Sequence, residues 1–131
     1  MATARSKHLV LILARELASN LATPTLIADA EGTLVFFNEA ADEIVGRPFG
    51  EIGEMSMEEF SASFTPRTRN HAPLTEDRRP TRIALEERRA AHEQLWVTSH
   101  DGVDRQIAIT AFPLFAEADE FVGIVGIFWR E

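Results

Sequence analysis

The 131-residue chain is 45% hydrophobic and 26% charged, which bounds it to one globular domain long enough to build its own core. Its net charge of −8 works against non-specific binding to nucleic acid or to an anionic membrane, both of which need a basic surface. Cysteine is absent, so disulfides, thiolate nucleophiles, zinc ribbons and iron–sulfur clusters are excluded, and a reducing cytoplasm is the expected compartment.

Arg5 and Lys7 precede the apolar run Leu9 to Ala14, but Arg15 and Glu16 cut it short of a secretory signal, and no segment approaches the ~20 apolar residues of a membrane span. Residues 5–21 read instead as a helix with more apolar surface than one face needs. Leu9, Leu13, Leu17 and Leu21 recur at steps of four and form one stripe. Val10, Ala14 and Ala18 form a second, with Leu11 and Ile12 beside them. A helix packed once on its own domain needs a single stripe, so the surplus points either to the same helix of a second subunit or to deep burial in the parent fold. Residues 1–21 are accordingly set apart as a dimerisation or sheet-covering helix, and residues 22–131 as the domain proper.

Thr23-Pro24 ends that helix. Thr25–Ala28 and Thr33–Phe37 read as a strand pair across Asp29-Ala30-Glu31-Gly32. Asn38 suits an N-cap with Glu39 and Asp42 in the first turn, and Gly46 stops the helix after Val45. Ser56-Met57-Glu58-Glu59 matches a capping box ahead of Phe60 and Phe64. Pro66–Pro73 reads as loop. Pro80 opens a further helix through Ile83, Ala84 and Leu85 to about Ala91. Gln94–His100 and Val103–Phe112 form a hairpin across Asp101-Gly102, Pro113 breaks the run, and Phe121–Trp129 is the final strand. That strand is apolar on both sides: Phe121, Val125, Ile127 and Trp129 on one, Val122, Ile124 and Phe128 on the other, so both sheet faces are expected to be covered.

The order of helix, two strands, short helices and three antiparallel strands resembles the PAS fold. So do the residues: Gly32-Thr33-Leu34-Val35-Phe36-Phe37-Asn38-Glu39-Ala40-Ala41, Gly46 after the helix, Pro80 to Leu85, the Asp101-Gly102 turn, Phe112-Pro113-Leu114 and Gly123-Ile124-Val125. The resemblance covers about residues 20–129. It implies an α+β fold, a PAS-like five-stranded antiparallel sheet with short helices on one face and an N-terminal helix. Many members carry an Asp-Ile-Thr-like junction after the last strand; Phe128-Trp129-Arg130-Glu131 departs from it, which fits a stand-alone module or one cut at the boundary.

Members of that family bind flavin, haem, covalent chromophores, fatty acids or small metabolites between sheet and helices. A flavin–cysteine adduct and a thioester-linked chromophore both need the missing cysteine. Haem would look to His92, which the resemblance places near the end of the Pro80 helix; the plainer reading is a helix-end histidine beside Glu93. Non-covalent flavin would stack on Trp96 or phenylalanines that more often form plain core. Nine phenylalanines and two tryptophans without a tyrosine favour an apolar pocket for a fatty acid or similar molecule. Its candidate walls are Phe37, Ile44, Phe60, Phe64, Ile83, Trp96, Ile109, Phe112 and Phe128, which would otherwise fill the centre completely.

Catalysis has no support in the residue pattern. His8, His71, His92 and His100 are scattered without metal-ligand spacing, and no nucleophile lies beside a base. Arg67, Arg69, Arg78, Arg79 and Arg82 concentrate positive charge that either meets an acidic head group or balances Glu76 and Asp77 on a solvated face. The resulting expectation is a cytoplasmic sensory domain, not an enzyme, that binds a small hydrophobic ligand. It would act as a homodimer through Leu9, Leu13, Leu17 and Leu21 toward an unidentified signalling partner. The alternative is a ligand-free adaptor that works through its sheet and N-terminal helix.

Overall fold

The computed structural model describes residues 2–131, with side chains described from Leu9 onward. Met1 of the 1–21 segment and the side chain of His8 lie outside the described residues. The N-terminal helix α1 spans Ala2–Ser19, and strands β1 and β2 span Thr25–Asp29 and Thr33–Phe37. A short 3-10 turn, Glu39–Ala41, leads into three brief helices: α2 (Asp42–Val45), α3 (Phe49–Ile52) and α4 (Met57–Ala62). Strand β3 (Met55–Ser56) lies between the last two. Helix α5 spans Pro80–Glu87, followed by β4 (Ala91–Thr98), β5 (Asp104–Phe115) and β6 (Phe121–Arg130).

The strands form one antiparallel sheet in the order β3-β2-β1-β6-β5-β4, so the last strand lies at its centre beside the first. The sheet has six strands rather than five, because Met55 and Ser56 pair with Leu34 and Thr33 at the edge. One face carries the main core: Leu26, Ala28, Leu95, Val97, Ile107, Ala111, Ile124 and Phe128 meet Ile44, Val45, Met57, Phe60 and Ala84 from the helices. On the other face Ile27, Ala108 and Val122 are buried outside that cluster, and α1 packs there across β1, β5 and β6. The both-sides-apolar pattern of β6 follows from that double cover.

Two residues of β6, Phe121 and Val122, sit on the faces opposite to their expected ones. Phe115 pairs with Phe121 and Leu114 with Gly123, so Val122 is an extra residue in β6. A bulge reverses side-chain parity beyond it, and Phe121 joins the inner core. Pro113 does not break β5. It lies beyond the last β4 pair, Ala91↔Ala111, where one side of the strand is an edge and proline is tolerated.

Local signals place the connections. Ser56 Oγ accepts from Glu59 N at 3.0 Å as the expected N-cap of α4. The β4–β5 turn is wider than two residues: Gly102 N bonds Ser99 O and Ser99 N bonds Val103 O. Helix α5 stops at Glu87, short of Ala91, because Arg88 turns to φ 54. Residues 91–93 therefore begin β4, and His92 is a strand residue rather than a helix-end one. The stretch Pro66–Pro73 is loop tied to β4 through Arg67, whose backbone exchanges hydrogen bonds with Trp96 at 2.8 and 2.9 Å.

Candidate functional site: an apolar cavity between sheet and helices

Alternate residues of β4 and β5 send Leu95, Val97, Ile107 and Ile109 inward, and Phe128 joins them from β6. Helices α2 and α4 cross above with Ile44, Val45, Met57 and Phe60. Between these layers lies a cavity of about 80 Å³, closed further by Leu26, Phe64, Pro66, Leu74 and Pro80. Its polar lining is confined to Ser61, Arg79 and Thr81. Such a space suits apolar groups and offers few hydrogen-bond partners to water.

Of the nine wall residues expected from the sequence, Ile44, Phe60, Phe64, Ile109 and Phe128 line the cavity. Phe37 is buried beside it, edge-on to Phe49 at 5.3 Å and stacked on Phe60 at 5.8 Å, so it supports the wall without facing the space. Ile83 lies on α5 and does not reach the lining. Trp96 and Phe112 have the opposite strand parity from Leu95, Val97 and Ile109. Trp96 instead stacks on His71 at 5.1 Å, and Phe112 sits opposite Val125. Leu74 and Pro66 were missed because they lie in a stretch with no periodicity to read. Leu95 and Val97 had a signal in the alternation Leu95-Trp96-Val97, but the tryptophan drew the assignment to the wrong parity.

His92 stands on the same face as Trp96 and Trp129, with its Nδ1 2.7 Å from Thr110 Oγ1. It therefore points away from the cavity and is not placed to ligate a haem in it. Haem or flavin would also need several times the present volume, since pockets for ligands of that size measure roughly 300–1,000 Å³. Among the described residues, no group of three or more His, Asp or Glu side chains is arranged to hold a metal. No helix among them is long and apolar enough to cross a membrane.

The helical side of the cavity is tied to the β4–β5 turn. Ser99 Oγ donates to Ile44 O, and His100 N donates to Val45 O at 2.9 Å. His100 stacks on Phe64 at 4.6 Å, and its Nε2 lies 2.9 Å from Ser63 Oγ. Because Ser63 Oγ donates its only hydrogen to Phe60 O, His100 Nε2 carries a proton toward Ser63. Burial holds the His100 pKa below its ordinary value, and the positive charge of Arg47 adds to the effect, against a smaller opposing pull from Asp101.

The α1 face turned to solvent carries Leu9, Ile12, Leu13 and Leu17, each more than half exposed. Spacings of three and four make these one stripe, while Val10, Leu11, Ala14 and buried Ala18 turn inward. Ile12 thus belongs with the exposed leucines rather than the packed row. Leu21 lies beyond the last helical residue, Ser19, and is not part of the helical stripe.

Residues 22–129 match the sequence pattern of the PAS domain family. No curated protein matches the sequence. Among solved structures, the PAS domain of Bordetella pertussis BvgS is similar, with 21% identity over 92% of this chain and 84% of that one and a TM-score of 0.62. The PAS domain of nitrogen regulation protein NR(II) from Vibrio parahaemolyticus shares 18% identity over 91% and 98% of the two chains, with a TM-score of 0.59. The PAS domain of the fruit-fly ELK potassium channel shares 11% identity over 92% and 95%, with a TM-score of 0.72. At these identities the likeness shows the fold alone.

Proposed function

The chain belongs to the PAS domain family of sensory and signalling modules, and from that premise we propose that it is a cytoplasmic sensor whose cavity takes a small, mainly apolar molecule. The observation that carries this reading is the roughly 80 Å³ space walled by Leu26, Phe60, Leu95, Ile109 and Phe128 at the junction of sheet and helices. An occupant there would touch α4 on one side and β5 and β6 on the other. It would bias the packing of the helices against a sheet whose far face carries α1.

The sensor works as a homodimer. The exposed stripe Leu9, Ile12, Leu13 and Leu17 is apolar apart from Glu16 within its arc, and a second copy of α1, packed antiparallel about a two-fold axis, is its proposed cover. A partner protein then reads the dimer. A ligand-free adaptor would use the same stripe and differs in leaving the cavity without an occupant.

Filling the cavity tests the ligand reading. A ligand at 100 times its Kd stabilises the fold by about 2.7 kcal/mol, a rise of several degrees in Tm. Hexanol is expected to raise the Tm of the wild type and to lose that effect in Ile109→Phe, whose ring occupies the space. An equal rise in a folded Ile109→Phe would place the binding elsewhere and sink the proposal.

A further inference from the structure

One cation at the cavity wall has no counter-charge. Arg78 pairs with Glu93 at 3.2 Å, and Arg82 is held by Glu86 at 2.8 Å, Glu76 at 2.9 Å and Glu58 at 3.9 Å. Arg79, between them in sequence, makes no ion pair or side-chain hydrogen bond among the described residues, and its Nε is buried without a partner. Arg82 Nε also lacks a well-aligned hydrogen bond, but Glu86 Oε1 lies 2.8 Å from it, so what sets Arg79 apart is the absence of any carboxylate at pairing distance. Arg79 lines the apolar cavity and also the polar cleft outside it, and Ser61 and Thr81 do the same. Arg79 therefore stands where the apolar space meets water, with two hydroxyl groups beside it.

A buried guanidinium N–H left unpaired is unfavourable, and the planar fork of arginine matches a carboxylate with two parallel hydrogen bonds. The outer cleft also carries Glu31, Glu58, Glu76 and Glu86. Arg82 lines the same cleft and pairs with Glu58, Glu76 and Glu86, so four carboxylates are set against that one arginine and the rim disfavours a second negative charge. The cavity behind Arg79 has room for a tail on the order of three to six carbons.

We propose that Arg79 anchors the ligand and that the ligand class is a short-chain aliphatic monocarboxylate, its carboxylate on Arg79 and its tail in the cavity. This rests on the cavity being the ligand site. Ser61 and Thr81 complete the head-group contacts as hydroxyl donors. Dicarboxylates are disfavoured by the glutamates, and long-chain fatty acids exceed the space.

Calorimetric titration of wild type, Arg79→Gln and Arg79→Lys with n-alkanoates from acetate to decanoate, and with the matching primary alcohols, tests the assignment. The wild type is expected to prefer acid over alcohol of equal length by about tenfold or more, with an optimum between butanoate and heptanoate. Arg79→Gln removes that preference, and Arg79→Lys keeps part of it. A preference that survives in Arg79→Gln, or wild type that binds alcohols as tightly as acids, overturns the role of Arg79 and leaves the cavity reading standing. Failure of acids and alcohols alike to bind wild type overturns both. If Arg79→Gln does not fold, the acid-to-alcohol ratio in wild type and Arg79→Lys still decides, and tighter binding of succinate than of butanoate refutes the monoanion.

Discussion

Asn38 shows how much one side chain can hold together. Its Nδ2 donates to Ala18 O and Thr23 O at 2.9 Å each, and its Oδ1 accepts from Thr25 N at 3.0 Å and Ala41 N at 3.2 Å. The residue is 1% exposed, so none of these groups has water as a substitute. The sequence reading of Asn38 as an N-cap captured only the last contact, because the others join segments up to 20 residues away. Asn38→Ala is expected to cost about 2–4 kcal/mol in urea unfolding and to speed amide exchange in α1; a loss below about 0.5 kcal/mol would show the clamp to be unimportant. Gly46 is a second such position. It sits at φ +94, and a Cβ there would lie 2.8 Å from Asp101 N and 3.1 Å from His100 N. Gly46→Ala should destabilise by about 1–3 kcal/mol, whereas a neutral outcome would mean that the turn moves freely away from α2. His100 adds a pH dependence. Its pKa lies below the ordinary 6.5, so the unfolded chain binds more protons as pH falls, and stability is lost from about pH 6.5 down through the folded value. The acid-side fall in Tm should be shallower in His100→Gln over that window. Identical slopes would contradict the burial argument. The carboxylates of Asp101 and Asp104 titrate separately. Arg105 and the Val103 N–H hold the first below its usual range, and the Thr98 hydroxyl, then Arg67, hold the second.

At the scale of elements, the strands and helices follow from local rules while their facing depends on contacts the sequence does not display. The strand pair β1–β2, the α4 cap and the stop at Gly46 carry their own chemistry and were legible. The cavity walls were legible only where a residue's alternative face was implausible. Ile109 and Phe112 are three apart on one strand and cannot share a face without a bulge, so the expected list could not be wholly right. Which of them turned inward was decided by pairing Ile109 with Phe128 and Phe112 with Val125. Helix α1 carries two apolar rows. Ala18 and Ala14 are small enough to let the backbone approach the sheet, which leaves the bulkier Leu9, Ile12, Leu13 and Leu17 outside. Leu13→Glu with Leu17→Glu should give a monomer by light scattering with Tm changed by no more than a few degrees. A folded double variant that remains a dimer would remove α1 from the interface.

For the whole molecule, the sheet is a partition with the apolar cavity on one face and α1 on the other. Strands β1 and β6 lie at its centre and belong to both. A change in the packing of α4 or α5 over the inner face can reach α1 through Leu26 and Phe128 on one side and Ile27 and Ile127 on the other. Arg15 over the Phe36 ring at 4.8 Å, and Asn38 at the end of β2, tie α1 to the same strands. The ladder and core are the physical route that the proposed coupling would use, with the exposed stripe as its proposed output. The proposed sensor is a two-chain assembly with one small molecule in each cavity. Native mass spectrometry of the protein loaded with hexanoate tests it most directly, because one spectrum reports subunit count and bound mass together. A dimer carrying two hexanoate masses is expected, and a single hexanoate-free chain at micromolar concentration would overturn both the dimer and the ligand assignment.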